Sequence, residues 1–320
     1  MAIIGTGLTL ADIARRMGGD QPFLVDALTN PNAGATFGRL PMRQITGWVE
    51  QFTRIEGRPT VSWRKLGSYV AASKGQRNPI SEGVFLISGV SEVDKIRADR
   101  DPRGALSLRA EEDWSFLESI GYNLSLQIFY GGTSLCTGVT DAFDGLNARL
   151  PSSMTTHVNA SGASVGASVY GFKLGPGKFM GIYNVGPSGK MIEANDYGAI
   201  LDKDNSGSSN SQNEMYKTFF NAAFGIAQYD GLAIGRIAGL DAPTAATVPV
   251  NALDFANLYD KMKGKPDLLV TTWVGWGCIS SLLGSKQVYA PGQNDYNPYI
   301  GMYDGIPVIV DTALIADSKM

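Results

Sequence analysis

A single long amphipathic run, residues 102–129, is the largest element this chain can fold around. Leu106, Ala110, Trp114, Leu117, Gly121, Leu124 and Ile128 recur every three or four positions and therefore share one face of a helix. Pro102 suits the first turn, where its missing N–H costs nothing, and Gly131 with Gly132 ends the run. At about 1.5 Å per residue the predicted helix is a rod of roughly 40 Å. It leaves through Ile128, Phe129 and Tyr130, and the segment Phe143, Asp144, Gly145, Leu146, Asn147, Ala148, Arg149, Leu150 follows, an F-x-G-L-x-x-R-L pattern.

The rest of the chain is turn-rich. Its 39 glycines are spread rather than clustered, so they read as tight turns between short strands, an α+β pattern with helices segregated from sheet. With 320 residues and 44% hydrophobic content, two packed units are within reach and wholesale disorder is excluded. No stretch reaches about 18 unbroken apolar residues; the nearest, 268–283, is interrupted by Thr271, Thr272, Gly275, Gly277, Ser280 and Ser281. The first five residues lack the positive region of a signal peptide, so a soluble protein made in a cytosol is expected. In that compartment Cys136 and Cys278 are expected as free thiols.

Along the chain, 10–17 is a short helix candidate, and 21–42 has no periodicity and reads as an arm that gains order only against a neighbour. Residues 43–83 read as a long hairpin, in which Val61 and Trp63 alternate with Thr60, Ser62 and Arg64 as a half-buried strand, with 72–79 as a flexible connection out of it. A strand over 83–93 leads to Asp94. Residues 153–250 hold short strands, with 225–230 and 232–237 as a strand pair, and 252–262 and 273–283 are helix candidates. Gly305, Ile306, Pro307 and Val308 open a strand in which Pro307 marks an edge or a strand start.

The rod, the double-glycine stop, the F-x-G-L-x-x-R-L loop, the Val93–Asp94 strand end and the G-x-P-V strand, taken in this order, resemble the major capsid proteins of tailed phages with the Hong Kong 97 fold. The resemblance implies an N-terminal arm (1–42) and an extended hairpin loop (43–83) that lies over the adjacent subunit. It also implies a peripheral domain (84–150 with 304–320) carrying a spine helix over 102–129, and an axial domain (151–303). The implied function is structural: self-assembly through pentamers and hexamers into the icosahedral head shell that encloses a phage genome, with no enzymatic activity and no cofactor. The implied partners are further copies, a portal protein, a separate scaffolding protein and, left open, a decoration protein. Only about 40 residues precede the hairpin, too few for a built-in scaffolding domain. The implied location is the virion, after synthesis in the bacterial host cytoplasm, with no membrane. DNA would be enclosed and not read by sequence, which suits 27 basic against 30 acidic residues and a charge of −3, since a genome-condensing protein needs a large basic excess. A nanocompartment shell of the encapsulin kind shares the fold, and a cytosolic enzyme using acidic residues is the reading from another class.

Other chemistry is thin. His157 is the single histidine, in a polar stretch without a nucleophile elbow, and reads as an ordinary loop residue. Gly175-Pro176-Gly177-Lys178 and Gly186-Pro187-Ser188-Gly189-Lys190 lack the spacing of a phosphate loop and read as turns. Asp202, Asp204 and Ser206 match the first half of a calcium loop, but the twelfth position is Asn213, so a solvated loop is favoured. Arg109, Glu111, Glu112 and Glu118 line the polar face of the spine. Either they are solvated and paired within the helix, or they meet a neighbour's hairpin, which carries Arg54, Arg58, Trp63, Arg64, Lys65, Lys74 and Arg77. In one member of the fold a hairpin Lys is joined covalently to a neighbour's Asn; Lys65 and Lys74 lie in that element, but no Asn follows Gly305, so no crosslink is expected.

Overall fold

In the computed structural model the described residues are 36–133, 142–160, 165–185, 191–203, 212–241, 250–283, 299–314 and 317–318. After a 3-10 turn at Phe37–Arg39 come β1 (Met42–Gln44), β2 (Val49–Gly57), β3 (Gln76–Gly83) and β4 (Phe85–Asp94). The helices α1 (Lys95–Asp99), α2 (Ala105–Tyr130) and α3 (Leu146–Arg149) follow. Then come β5 (His157–Asn159), β6 (Val165–Phe172), β7 (Phe179–Asn184), β8 (Ile192–Lys203), β9 (Gln212–Gln228) and β10 (Ile234–Leu240). The chain continues through α4 (Ala252–Met262), β11 (Leu268–Thr271), α5 (Trp273–Leu283), β12 (Tyr299–Tyr303), β13 (Ile306–Val310) and β14 (Asp317–Ser318).

Two sheets form the body. In the first, ordered β1-β7-β9-β4, the long β9 pairs along one edge with β4 and along the other with β7 and then β8, end to end. The second is ordered β12-β13-β11-β6-β10-β5, with β14 added to the start of β6. The spine helix α2 packs on the first sheet, and its Leu117, Ile120, Leu124 and Ile128 share one core with Phe220 and Phe224 of β9 and with Tyr170, Val270 and Ile309 of the second sheet. The neighbours of those last residues, Val169, Leu269 and Val308, point the other way, into a core with Phe255, Leu258 and Met262 of α4 and Ile279 of α5. The central strands of the second sheet are thus buried on both faces and read as continuous apolar runs rather than alternating ones. A capping box between Asn251 and Asp254 starts α4.

Several expectations are redrawn by the structure. The spine begins at Ala105, not 102: the Asp101 carboxylate accepts from the Arg103 N–H at 2.8 Å, and Gly104, at φ +92°, turns the chain between α1 and α2. Leu106 is 78% exposed and Ala110 is exposed, so the buried stripe runs through the C-terminal half. Of the arm, only residues from 36 onward are described; there Phe37, Leu40 and Met42 are buried in this chain's own core, without a neighbour. Val61 and Trp63 lie in no strand, because β2 ends at Gly57, and the supposed connection 72–79 already pairs from Gln76. The expected strand pair splits: β9 belongs to the first sheet and β10 to the second. Likewise β7, β8 and β9, expected in a separate axial body, pair with β4 beneath the spine, while β13, expected with the spine, pairs with β11 in the second sheet. Non-local pairing of this kind leaves no local sequence pattern. Pro307 sits at a strand start, one residue before pairing to β11 begins at Val308.

Candidate functional site

The hairpin β2–β3 is a two-stranded sheet of its own, paired from Val49↔Gly83 to Gly57↔Gln76. Its strands grow from opposite edges of the first sheet, since β2 follows β1 and β3 runs into β4. Beyond the pairing, residues 58–75 form an exposed tip on which Val61, Trp63, Leu66 and Tyr69 are almost wholly in solvent. The tip is held by its own polar contacts: Arg64 Nη1 donates to Ser68 O at 2.9 Å, and Ser73 Oγ donates to Thr60 O at 2.8 Å. Arg58, Lys65, Lys74 and Arg77 are exposed around it.

At the hairpin's base the side chains turn inward. Arg54 donates to the Gln228 carbonyl, and the ring of Phe52 packs, tilted, 4.4 Å from that of Tyr229. Arg43 reaches both the Tyr229 hydroxyl and Glu50 at 3.0 Å, and burial raises the Tyr229 phenol above its usual range. On the β3 side, Arg149 forks onto both oxygens of Glu82, at 2.6 and 2.7 Å, with its Nε on the Asp144 carbonyl at 2.8 Å. This bidentate geometry is the strong form of a carboxylate–guanidinium pair.

Arg149 is delivered there by the F-x-G-L-x-x-R-L loop, which is bound to the spine's exit. Gln127 Nε2 donates to Phe143 O at 2.7 Å, and the Gly145 N–H donates to Gly131 O at 2.8 Å. A Cβ on Gly145 would lie 2.5 Å from the Gly131 nitrogen, so two backbones touch where only glycine fits. Phe143, Leu146 and Leu150 are buried. Asn147 Oδ1 accepts from the fully buried Arg236 of β10, whose Nε donates to Ser168 at 3.2 Å. His157, buried in β5, has one ring nitrogen 3.3 Å from Leu150 O and the other 3.0 Å from Asn159, and desolvation lowers its pKa. One short loop therefore ties together the spine, the hairpin base and the second sheet.

The polar face of the spine is partly spent at home. Arg109 pairs with Asp196 of β8 and lies 4.8 Å over the Tyr216 ring, and Glu111 pairs with Arg103 at 3.0 Å. Glu112 and Glu118 are partly exposed. Asp113 accepts from Thr218 at 3.3 Å, and burial raises its pKa. Asp202 is the penultimate residue of β8, while Asp204 and Ser206 lie outside the described residues, as do Cys136 and the second glycine-rich turn at 186–190. Among the described residues no group of three His, Cys, Asp or Glu is placed to hold a metal, and no helix is long and apolar enough to cross a membrane. Cys278 is a buried free thiol, pushed up to about 11 by desolvation. Sequence reasoning named Val61, Trp63 and the basic residues around the tip, and Arg149 as part of a motif, but missed Leu66 and Tyr69 at the tip and Glu82, Tyr229 and Arg236, which carry no local signal.

The family described as major capsid protein GP7 matches residues 48–266. No curated protein matches in sequence. Among solved structures, the near-atomic structure of bacteriophage Epsilon15 aligns with TM-score 0.60 and 17% identity over 87% of each chain. The capsid of bacteriophage JBD30 aligns with TM-score 0.45 and 12% identity over 86% of this chain and 88% of that one. The SrpI encapsulin of Synechococcus elongatus aligns with TM-score 0.43 and 8% identity over 63% of this chain and 85% of that one. The Epsilon15 likeness shows a shared fold of the Hong Kong 97 kind, mixed in helix and strand.

Proposed function

The chain belongs to the GP7 family of major capsid proteins, and from that premise we propose that it closes its shell by laying the hairpin tip on a neighbouring copy. The observation that carries this reading is the tip itself. Val61, Trp63, Leu66 and Tyr69 stand in solvent on an arm with no core of its own. Burying each large apolar side chain is worth roughly 1.5–3 kcal/mol, so the subunit alone leaves that stabilisation unused and a second copy can supply it. Arg58, Arg64, Lys65, Lys74 and Arg77 surround the tip, and Glu112 and Glu118 line the accessible spine of the neighbour. Exposed pairs of this kind set register more than affinity, and salt screens them. Arg54 and Arg109 serve the subunit's own packing instead.

Repeated head-to-tail contacts close into rings, and rings of five and six copies close an icosahedral head around a tailed-phage genome. The net charge of −3 fits a wall that encloses DNA without binding its sequence. A portal at one vertex, a separate scaffolding protein and, in some heads, a decoration protein are the further partners this reading calls for, with synthesis in the host cytoplasm. Expression of the chain, followed by light scattering and negative-stain microscopy, tests it. Rings of five or six copies or uniform shells are expected, and a monomer that persists at every concentration, with or without the neighbouring head genes, counts against it.

A further inference from the structure

We propose that Arg149 is a positioning residue for assembly: with Arg43 it fixes the lean of the hairpin in the free subunit, before any neighbour is met. The inference rests on the reading of the hairpin as the assembling arm.

The base of the hairpin contains an electrostatic conflict. Glu50 and Glu82 are direct partners across β2 and β3, so two carboxylates lie opposite each other on one face. Like charges in that relation push strands apart. Each is answered from a different side of the body. Arg43, on β1, pairs with Glu50 at 3.0 Å, and Arg149, on the loop beyond the spine, takes both oxygens of Glu82. The second pair is well shielded, with the side chains of Arg149 and Glu82 only 15% and 10% exposed. A shielded fork is directional, because its two parallel bonds survive in one orientation only.

The location gives the pair leverage. Glu82 lies two residues before Val84, where the hairpin passes into β4, and Val84 N–H donates at 2.8 Å to the carbonyl of Trp48, the residue just before β2. A small tilt at this level is magnified over the length of β2 and β3 to the tip. Arg149 itself cannot drift, since its loop is bonded to the spine through Gly131 and Gln127 and to the second sheet through Asn147. The hairpin's direction is thus referenced to the spine and to both sheets at once.

The test separates direction from stability. Arg149→Lys keeps the charge and loses the fork. Glu82→Leu with Arg149→Met removes both charges together, so neither is left buried alone, a replacement that commonly preserves the fold. Spin labels at Ala71→Cys and Ser115→Cys, both exposed, in a Cys136→Ser background, report the tip-to-spine distance in unassembled subunits. The wild-type pairing is expected to give one narrow distance peak and both variants to lose it, while their melting curves stay cooperative. Electron microscopy of the same variants should then show mixed, misshapen or unclosed products in place of uniform shells. A narrow peak retained in both variants overturns the proposal, as do uniform wild-type shells built by variants whose peak has broadened. If the wild-type chain builds no shell, the assembly reading fails instead, and the label distances alone still decide whether Arg149 sets the hairpin's direction.

Discussion

The ring of Phe52 lies 4.4 Å from that of Tyr229, tilted by 43°, so an aromatic pair joins the hairpin to the turn between β9 and β10. Tyr229 also places its hydroxyl between Arg43 and Glu50. The hairpin leaves the body through a packed collar rather than a slack joint, and its aromatic and polar parts can be measured separately. Tyr229→Phe keeps the ring contact and loses the hydroxyl, at an expected cost of about 1 kcal/mol. Tyr229→Ala also loses the ring, which is only partly buried, and should cost roughly 2–3 kcal/mol. Urea denaturation of the two variants checks this, and equal losses would mean that the ring contact contributes nothing.

His157 gives the fold a pH dependence. Its pKa is lowered from 6.5, first by desolvation, with Arg236 and Lys261 adding to the cost of a charged ring. The unfolded chain therefore takes up the proton first as pH falls, so the stability is present above 6.5 and is lost as pH drops towards the folded value. His157→Gln should flatten the fall in denaturation midpoint between about pH 7 and pH 5. A parent and variant with the same slope across that window would assign the pH dependence elsewhere.

Trp114 and Trp63 should fail in different ways. Trp114 is partly buried against the main core, and Trp114→Ala should cost about 2 kcal/mol, less than a fully enclosed aromatic would. Trp63 touches solvent on all sides, so Trp63→Ala should leave subunit stability within about 0.5 kcal/mol while weakening assembly. Circular dichroism melts of each variant, paired with microscopy of the assembly products, read both effects. Unfolding by Trp63→Ala with a silent Trp114→Ala would reverse the roles given to hairpin and spine.

What was legible beforehand follows from the range of each interaction. The spine, α4 and α5 announce themselves because helix contacts repeat within a few residues, and Gly131 marks the end of the spine locally. The basic residues of the hairpin are also visible as composition, whereas Trp63, expected on a half-buried strand, stands in solvent. Neither the allegiance of β9 nor that of β13 could be read, since β9 meets β4 more than a hundred residues away and both faces of the second sheet are apolar. The start of the spine is not legible, because Pro102 fits a helix's first turn as well as it fits the Asp101 turn it occupies. Arg149 stood in a motif, but Glu82, its partner, is one of many glutamates until the hairpin folds back beside the spine.

Gly145 offers the sharpest test of why the loop after the spine is written as it is. Its φ is −79°, an ordinary value, so conformational freedom is not what the position demands. The demand is space: a Cβ would meet the Gly131 nitrogen at 2.5 Å, the Gln127 carbonyl at 2.7 Å and the Ile128 carbonyl at 2.9 Å, all backbone atoms that cannot swing aside. Gly145→Ala should therefore lever the loop off the end of α2, cost roughly 2–3 kcal/mol and loosen the Arg149–Glu82 pair with it. Gly177 is the converse case, with φ +75° and open space around its missing Cβ, so Gly177→Ala should cost only about 1–2 kcal/mol and leave the hairpin's direction untouched. Denaturation midpoints for both variants, set beside the tip-to-spine label distance, separate the two causes. A Gly145→Ala protein with parental stability and an unchanged distance would show that the loop can move away from the spine without consequence.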